Sequence, residues 1–257
     1  MGRLDNKVII VTGAGAGFGR GIVKKLTTES AKVLAVDMNA STVEETASSQ
    51  PSGSCVAHTA DITSEDAWRG VLKAVLDAFG KLDVVVNCAG VVHNAGPSHE
   101  VGEDQFDLMF KVNVKPLYLS NKVITPYWIE NKVKGEFINL SSISEPRPRP
   151  FLVWYAASKG AVTVVSVLDE GRWDGSTADW VVQTTKGLAG EYAAHGIRFN
   201  CIRPAVGDTA MVSRLVPATL VADRVAVAEG PWWDRYTRRT EKGVGNCPAG
   251  PCLRARR

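Results

Sequence analysis

The chain has 257 residues and is 45% hydrophobic, enough for one large α/β domain with a substantial core, which excludes disordered and fibrous classes. Its net charge of +3 is too small to indicate a nucleic-acid-binding protein. Residues 213–257 hold nine basic and four acidic side chains, so the positive surplus belongs to this carboxyl-terminal segment and the rest of the chain is slightly acidic.

The five cysteines are odd in number, scattered and without a Cys-x-x-Cys pair, which argues against a disulfide framework and a metal site. The amino-terminal sequence shows no signal-peptide pattern, and no apolar run reaches the length of about 18 residues that spans a membrane. We therefore predict a soluble cytoplasmic protein that binds neither metal, membrane nor nucleic acid.

Six short β-branched runs alternate with longer helical patterns along the chain. Each run is too continuously apolar for a sheet with one face in water, as expected of a parallel strand that helices cover on both faces. The pattern predicts an α/β fold, a Rossmann-like doubly wound parallel sheet in three αβα layers, within a single domain that carries an atypical carboxyl-terminal tail. The predicted strands are residues 8–11, 33–36, 55–58, 84–86, 137–140 and 197–201, and the clearest helical segments are 19–29, 64–79 and 104–131.

The first predicted strand ends in a glycine-rich turn, Thr12-Gly-Ala-Gly-Ala-Gly-Phe-Gly19, which leads into a helical segment. Glycines at such a turn let backbone N–H groups and the positive end of the helix approach a pyrophosphate. The alternative is a tight strand-to-helix turn without a ligand, because glycine is also simply permissive.

The second predicted strand ends at Asp37, near the distance from the glycine turn expected of an acid that binds an adenosine ribose. Its carboxylate would accept hydrogen bonds from both ribose hydroxyls and repel a 2′-phosphate, which favours NAD and leaves NADP as the alternative cofactor. Met38 and Asn39 follow Asp37, and Ala14 and Ala16 occupy the turn, so these positions offer a 2′-phosphate no cation. A helix cap or a solvated loop end is the alternative for Asp37.

Tyr155 and Lys159 lie four residues apart in a helical pattern, so both side chains fall on one face. An adjacent ammonium stabilises a phenolate and lowers the pKa of a tyrosine toward neutrality, where it can act as a general acid or base. Such a pair alone is weak evidence, because chance pairs on helices are common. Here Ser142 follows the predicted strand 137–140, at the carboxyl edge where doubly wound sheets bind ligands.

As a set, these motifs resemble the short-chain dehydrogenase/reductase family from about residue 4 to residue 211. The order and spacing of the motifs together make the resemblance specific. They are Thr12-Gly-x-x-x-Gly17-x-Gly19, Asn87-Cys-Ala-Gly90, Asn113, Ser142 and Tyr155-x-x-x-Lys159.

The resemblance implies an NAD(P)(H)-dependent oxidoreductase that interconverts a secondary alcohol and a ketone on a small organic or secondary-metabolite substrate. Tyr155 would be the general acid/base, Ser142 would hydrogen-bond the reacting oxygen, Lys159 would lower the pKa of Tyr155, and Asn113 would hold a water in the proton relay. The cofactor contacts implied by the family are Gly13, Gly17, Phe18, Gly19, Asp37, Asp61, Ile62, Asn87, Ala89, Gly90, Tyr155, Lys159, Val206 and Thr209.

Four other polar residues near these motifs have two interpretations each. His93 and His99 follow the Asn-Cys-Ala-Gly motif, where substrate would enter, but loop histidines are more often solvated. Arg147 and Arg149 alternate with prolines between Ser142 and Tyr155. They would either meet a polar or anionic substrate or, as we expect, form a stiff extended crossover with solvated side chains.

Residues 165–183 separate two parts of the chain that lie next to each other in the family. The second Thr-Lys pair ends at Lys186, whereas the family has it eight residues after the catalytic lysine. We interpret the segment as a translated intron, because its residues are compatible with the donor, branch and acceptor signals of short fungal introns. A genuine surface insertion is the alternative.

Residues 212–257 also depart from the family, whose usual substrate lid and last strand have no clear counterpart there. We hypothesise an out-of-frame or disordered tail. We expect an enzyme of fungal metabolism. The alternatives are a catalytically inactive nucleotide sensor and an inactive product of mis-splicing. The family also implies a homo-oligomer for a correctly spliced chain.

Overall fold

A central sheet of six parallel strands organises the part of the chain that the structure describes. The structure is a computed structural model, and it describes residues 2–166, residues 187–205 and residue 211. The strands are β1 Val8–Thr12, β2 Lys32–Asp37, β3 Cys55–Thr59, β4 Val84–Asn87, β5 Glu136–Leu140 and β6 Arg198–Ile202. All six strands predicted from the apolar runs are confirmed within a residue or two of their expected bounds.

The strand order is β3-β2-β1-β4-β5-β6, and every neighbouring pair is parallel. Val11 on β1 lies opposite Ala35 on β2 and Val86 on β4, so β1 sits between the two halves of the sheet. The order reverses at this point, and the loops after β1 and β4 leave the sheet in opposite directions. Such a switch point opens a crevice at the carboxyl ends of the strands, where open α/β sheets bind ligands.

Helices cover both faces of the sheet. Alternate residues of β1 enter different apolar clusters: Ile10 belongs to the cluster that contains Trp68 and Trp128, whereas Val11 belongs to one that contains Val23. The predicted three-layer αβα architecture is therefore confirmed. The helices are α1 Gly17–Thr28, α2 Ala40–Ser48, α3 Glu65–Phe79, α4 Glu103–Asn113, α5 Lys115–Glu130, α6 Val153–Ser166 and α7 Gly187–Tyr192.

The predicted helical segment 104–131 is two helices, α4 and α5, and in this respect the prediction of a single run was wrong. Val114 separates them, and Pro116 lies in the first turn of α5. Proline has no backbone N–H and is favoured at the start of a helix, so it marks a new helix rather than continuing the old one. The break leaves Asn113 as the last residue of α4, where its side chain reaches the loop after β4.

The departures from the family fall mostly outside the described residues. Helix α6 includes residues 165 and 166, whereas residues 167–183 and the tail 212–257 are not among those described. The intron hypothesis and the tail hypothesis therefore stay predictions. All described residues belong to one compact unit that spans residues 1–215.

Three observations within the described ranges concern membranes, metals and thiols. No helix there is both long and apolar enough to cross a membrane. The same ranges contain no group of three or more His, Cys, Asp or Glu side chains arranged to hold a metal ion. Cys55, Cys88 and Cys201 are free thiols.

Candidate active site

A cavity of about 390 Å³ lies at the carboxyl ends of the strands, at the switch point of the sheet. This volume is in the range of small-molecule and cofactor sites. The predicted site residues that line the cavity are Gly13, Gly17, Phe18, Gly19, Asp37, Asp61, Ile62, Ala89, Gly90, Ser142, Tyr155 and Lys159. Residues far apart in the sequence therefore meet in one place.

The glycine-rich turn after β1 packs so closely that its glycines are sterically required. Gly13 has φ +67°, and a Cβ there would lie 2.8 Å from the Cα of Ala89. A Cβ on Gly19 would lie 2.0 Å from the carbonyl oxygen of Gly13. The turn thus brings bare backbone to the cavity wall, as close approach to a pyrophosphate needs.

Substituting Gly19 by alanine should destabilise the protein, because the new methyl group overlaps the Gly13 carbonyl. We expect the free energy of unfolding to fall by about 2–4 kcal/mol. Gly21→Ala, two residues later in α1, is the matched control. Nothing lies within 4 Å of a Cβ at Gly21, so alanine there should raise the free energy of unfolding by about 0.5–1 kcal/mol through helix propensity. Urea denaturation measures both, and equal shifts in the two variants would contradict the prediction.

The amino terminus of α1 is suited to an anion. Its N-cap residue, Ala16, makes no side-chain capping hydrogen bond, and the first turn contains no acidic residue. The free N–H groups and the helix dipole therefore present positive potential to the cavity without a carboxylate that would compete with a phosphate. Gly17 and Phe18, in the first turn of α1, line the same wall.

Asp37 lies at the end of β2 beside the glycine turn. Its Oδ2 accepts a hydrogen bond from the N–H of Gly15 at 2.9 Å, and its Oδ1 accepts one from the N–H of Asn39 at 3.0 Å. Each carboxylate oxygen has a further acceptor site, since a carboxylate can accept about four hydrogen bonds. Asp37 thus both orients the turn and keeps the capacity to bind the two hydroxyls of a ribose.

Asp61 and Ile62 lie after β3, on the same side of the cavity as Asp37. The Oδ1 of Asp61 accepts a hydrogen bond from the N–H of Thr63 at 3.0 Å, and this bond lowers the pKa of Asp61. Ile62 is buried, and its carbonyl accepts a hydrogen bond from the indole of Trp68 at 3.0 Å. Ile62 thus gives this end of the cavity an apolar contact surface, and Asp61 gives it a charged one.

Part of the Asn-Cys-Ala-Gly motif after β4 lines the cavity, and part of it lies in the core. The hydroxyl of Thr12 accepts hydrogen bonds from the N–H groups of Cys88 and Ala89, at 3.1 and 3.2 Å, which fixes the β4 loop against β1. Cys88 lines the cavity, and burial raises the pKa of its thiol to about 11, so the side chain is neutral there. The loop thereby adds no charge to the cavity wall.

Asn87 does not line the cavity, in contrast to the expectation of a cofactor contact. Its amide donates to Ser120 at 3.2 Å and to Asn139 at 2.8 Å, and the side chain is buried. These bonds hold the Asn87 side chain toward β5 and α5, whereas Ala89 and Gly90, in the loop after β4, reach the cavity. Asn87 thus holds β4, β5 and α5 together.

The side chain of Asn113 connects three elements around the cavity. Its Oδ1 accepts a hydrogen bond from the N–H of Val91 at 2.8 Å, while its amide donates to the carbonyl of Val91 at 3.0 Å and to the hydroxyl of Ser158 at 2.9 Å. These bonds hold the end of α4 between the β4 loop and α6. The expected role in a water relay stays a prediction, whereas an anchoring role follows from the contacts.

Ser142 and Tyr155 meet at the other end of the cavity. Ser142 follows β5, and its hydroxyl accepts a hydrogen bond from the N–H of Ser144 at 3.1 Å. Burial raises the pKa of Tyr155, while a hydrogen bond with Ser142 and the charge of Arg149 act against that rise. The phenol is 7% exposed, so it can exchange a proton only with a group that enters the cavity.

Lys159 lies one turn after Tyr155 on α6 and is buried. Its Nζ donates a hydrogen bond to the carbonyl of Leu140 at 2.7 Å, and burial lowers its pKa to about 8. Burial is the largest influence on the pKa of Tyr155 and raises it. The expected lowering of that pKa by Lys159 stays a prediction.

Several described cavity residues were not predicted as site residues from the resemblance, among them Arg149, Met211 and Cys88. For Arg149 the signal in the sequence was its position between Ser142 and Tyr155, and for Cys88 it was its place in the Asn-Cys-Ala-Gly motif. Val206 and Thr209, the expected contacts of the loop after β6, lie outside the described residues.

The two histidines after β4 differ in burial. His99 is exposed, as expected of a solvated loop residue. His93 is buried, and its Nδ1 lies 2.7 Å from the carbonyl oxygen of Asn94. Neither side chain lines the cavity among the described residues, so neither gains a substrate role from the geometry.

The chain matches the model of the family described as short chain dehydrogenase over residues 7–167. Together with the fold and the cavity, this match places the chain in the short-chain dehydrogenase/reductase family, whose members include the relatives below.

Two curated relatives are bacterial dehydrogenases. The 4-formylbenzenesulfonate dehydrogenase of Comamonas testosteroni is 33% identical over 82% of this chain and 76% of its own length. The 2-(R)-hydroxypropyl-CoM dehydrogenase of Xanthobacter autotrophicus is 30% identical over 86% of this chain and 82% of its own. Both are oxidoreductases by name, and the alignments span most of both chains.

Two solved structures share the fold. The 3-ketoacyl-(acyl-carrier-protein) reductase of Brucella melitensis, complexed with NADH, has a TM-score of 0.70 and 34% identity over 82% of this chain and 80% of that one. An NAD+-bound xylitol dehydrogenase has a TM-score of 0.67 and 25% identity over 79% of this chain and 71% of that one. Both similar proteins hold a nicotinamide cofactor in their structures.

Proposed function

We propose that the protein is an NAD(H)-dependent oxidoreductase that interconverts a secondary alcohol and a ketone. The observation that carries the proposal is the position of Tyr155: its buried phenol and the hydroxyl of Ser142 lie in the same cavity as the glycine turn. A nucleotide-binding protein without catalysis has no need of that pair. Fold alone would not support an enzyme, since doubly wound sheets carry many functions.

The cavity fits a dinucleotide of the NAD type. Bare backbone at Gly13 and Gly19 leaves room that a Cβ would fill, and the uncapped start of α1 faces the same space. The carboxylate of Asp37 would bind the hydroxyls of the adenosine ribose, with Asp61 and Ile62 beside the adenine. A 2′-phosphate near Asp37 would be repelled, which favours NAD over NADP.

When bound, the nicotinamide supplies or accepts the hydride, which is the part of the reaction that the protein itself does not perform. Tyr155 donates its phenolic proton to the carbonyl oxygen during ketone reduction and takes it back during alcohol oxidation. Ser142 hydrogen-bonds the same oxygen and so orients it. Lys159 would bind the nicotinamide ribose. The hydrogen bonds of Asn113 hold the β4 loop and α6 together beside the site.

The domain boundaries belong to the same proposal. Residues 1–211 form the catalytic domain, interrupted by the insertion 165–183 and followed by the tail 212–257. Support comes from the family match, which ends at residue 167, within the insertion. Sequencing the transcript tests the intron hypothesis, because a dominant message that retains the codons for residues 165–183 would contradict it.

The activity assay follows NADH absorbance at 340 nm with purified protein and a panel of ketones, and the reverse reaction with secondary alcohols and NAD+. We expect turnover of at least one ketone. Because Asp37 disfavours a 2′-phosphate, kcat/KM should be at least about tenfold higher with NADH than with NADPH. A second preparation that lacks residues 165–183 is assayed in parallel. It shows whether a lack of activity in the full chain is caused by the insertion. Tight NADH binding without turnover in both preparations would overturn the enzyme proposal.

A further inference from the structure

Arg20 lies near the start of α1, and its guanidinium contacts the glycine-rich turn. Its Nε and Nη2 donate hydrogen bonds to the carbonyl oxygen of Gly15, at 3.1 and 2.7 Å. Its Nη1 and Nη2 also donate to the two carboxylate oxygens of Glu45 on α2, at 3.0 and 3.1 Å. Arg20 is not among the described residues that line the cavity. The side chain therefore holds the turn from outside the cavity and joins it to α2.

The contact between Arg20 and Glu45 fixes the direction of the guanidinium. The two side chains are 38% and 65% exposed, and a simple ion pair at that exposure contributes little. Here two parallel N–H···O bonds join the planar guanidinium to both carboxylate oxygens, which sets its orientation. The edge that carries Nε and Nη2 is thereby kept against the carbonyl of Gly15.

Gly15 lies between two peptide groups that are held by α2. Arg20, itself bound to Glu45, holds the carbonyl of Gly15, and the hydroxyl of Thr46 donates to the carbonyl of Ala14 at 3.0 Å. Every second residue of 13–19 is a glycine, and a chain so rich in glycine has many accessible backbone conformations. The contacts with α2 therefore select one conformation of the turn.

The conformation of the turn determines the orientation of Asp37. The N–H of Gly15 donates to the Oδ2 of Asp37 at 2.9 Å. The two residues also pack closely, because a Cβ on Gly15 would lie 3.0 Å from the carboxylate carbon of Asp37. A rotation of the peptides that flank Gly15 would remove this hydrogen bond and release the carboxylate proposed to bind the adenosine ribose.

We infer that Arg20 is a positioning residue for cofactor selectivity: it fixes the glycine turn, and through Gly15 the carboxylate of Asp37, in the arrangement that accepts a free 2′-hydroxyl. The inference rests on the proposed preference for NAD over NADP. The opposite role, direct binding of a 2′-phosphate by Arg20, would require the guanidinium to give up its hydrogen bonds to Gly15 and Glu45.

The test removes the guanidinium without changing the net charge. Arg20→Gln combined with Glu45→Gln deletes the ion pair behind the turn. Lys73→Gln combined with Asp77→Asn is the matched control, because it neutralises an exposed ion pair on α3, outside the described lining of the cavity. The dissociation constants of NADH and NADPH are measured from nicotinamide fluorescence in both variants and the wild type. These measurements need no turnover, so they are independent of the proposed reaction.

We expect the dissociation constant of NADH to rise about 10- to 30-fold in the Arg20/Glu45 variant, because the ribose loses a fixed charged acceptor. The constant of NADPH should stay within about twofold, since weaker repulsion of the 2′-phosphate offsets the loss of order in the turn. The ratio of the NADPH constant to the NADH constant should therefore fall at least about fivefold. The control should keep the wild-type ratio. A purely structural role would lower the stability of the variant without changing this ratio in the folded protein.

A smaller fall, or none, would overturn the inference, and a rise in the ratio would show that Arg20 binds the 2′-phosphate itself. If the wild type binds NADPH as tightly as NADH, the proposed preference for NAD fails. Calorimetric titration with ADP-ribose, which carries the same adenosine, then decides the role of Arg20: binding at least about fivefold weaker in the Arg20/Glu45 variant than in the control supports it, and equal binding contradicts it.

A second variant tests the same inference should the double variant fail to fold. Arg20→Lys keeps the positive charge but lacks the planar guanidinium, so it cannot bond the Gly15 carbonyl and both oxygens of Glu45 together. We expect the same fall in the ratio of the two dissociation constants. A wild-type ratio in Arg20→Lys would show that charge alone is sufficient and would overturn the positioning role.

Discussion

Replacing Tyr155 by phenylalanine is expected to lower kcat for ketone reduction by about 10²- to 10⁴-fold, the usual contribution of a general acid. The substitution removes one hydroxyl from a buried ring and leaves its packing against Val92, Met109 and Leu152 in place. The dissociation constant of NADH should therefore change less than about twofold. Stopped-flow kinetics and the quenching of NADH fluorescence measure the two quantities separately.

Tyr118→Phe is the matched control, because Tyr118 is 60% exposed on α5, outside the cavity lining. It should leave both kcat and NADH binding unchanged. A Tyr155→Phe enzyme with more than about a tenth of the wild-type kcat would show that another group delivers the proton. Loss of NADH binding in the same variant would instead assign Tyr155 a structural role.

The raised pKa of Tyr155 also fixes the expected pH dependence. At neutral pH the phenol keeps its proton, the form that ketone reduction needs. Alcohol oxidation needs the phenolate, so its kcat/KM should rise with pH through the alkaline range, while that for reduction falls. An oxidation rate independent of pH between about 7 and 10 would contradict this assignment.

Much of the fold was predictable because the signals are local. A short apolar run such as residues 33–36 favours a strand in a sheet that is covered on both faces. Helix α2 was not predicted, since it is short and polar and depends on tertiary contacts. The side chain of Asn39 accepts a hydrogen bond from the N–H of Thr42 at 3.2 Å, and the hydroxyl of Thr46 donates to the carbonyl of Ala14 at 3.0 Å.

The candidate site also contains residues that could be predicted from the sequence and residues that could not. Gly19, Asp37 and Tyr155 were predictable, because spacing along single elements places them at the carboxyl edge of the sheet. The direction of Lys159 toward the Leu140 carbonyl and the entry of Arg149 into the cavity were not. Both depend on how an irregular segment between β5 and α6 folds back over the sheet, and residue order alone does not encode that path.

The second large effect is expected at Lys159, where function and stability oppose each other. Lys159→Met should abolish most activity, because the variant loses the group proposed to bind the nicotinamide ribose, yet it should make the protein more stable at pH 7. Burial lowers the pKa of Lys159 from 10.5 to about 8, which means that the folded state holds a poorly solvated charge. Methionine has nearly the same length without that charge. We expect the free energy of unfolding to rise by about 1–3 kcal/mol, reduced by loss of the hydrogen bond to Leu140.

The gain should depend on pH in a defined direction. Below pH 8, Lys159 is charged in both the folded and the unfolded protein, and the destabilisation is fully present. Between pH 8 and 10.5 the folded protein releases the proton while the unfolded chain keeps it, so the wild type becomes more stable relative to the variant as pH rises. Urea denaturation at pH 7 and pH 9.5 should therefore show a smaller difference at the higher pH.

Lys24→Met provides the control, because Lys24 is an exposed lysine on α1. Its free energy of unfolding should stay within about 0.5 kcal/mol of the wild type at both pH values. A Lys159→Met protein that is less stable than the wild type by the same amount at pH 7 and pH 9.5 would show that the ammonium contributes to packing rather than opposing it. A stability gain at pH 7 combined with loss of activity would show that the buried charge is retained for function at the expense of the fold.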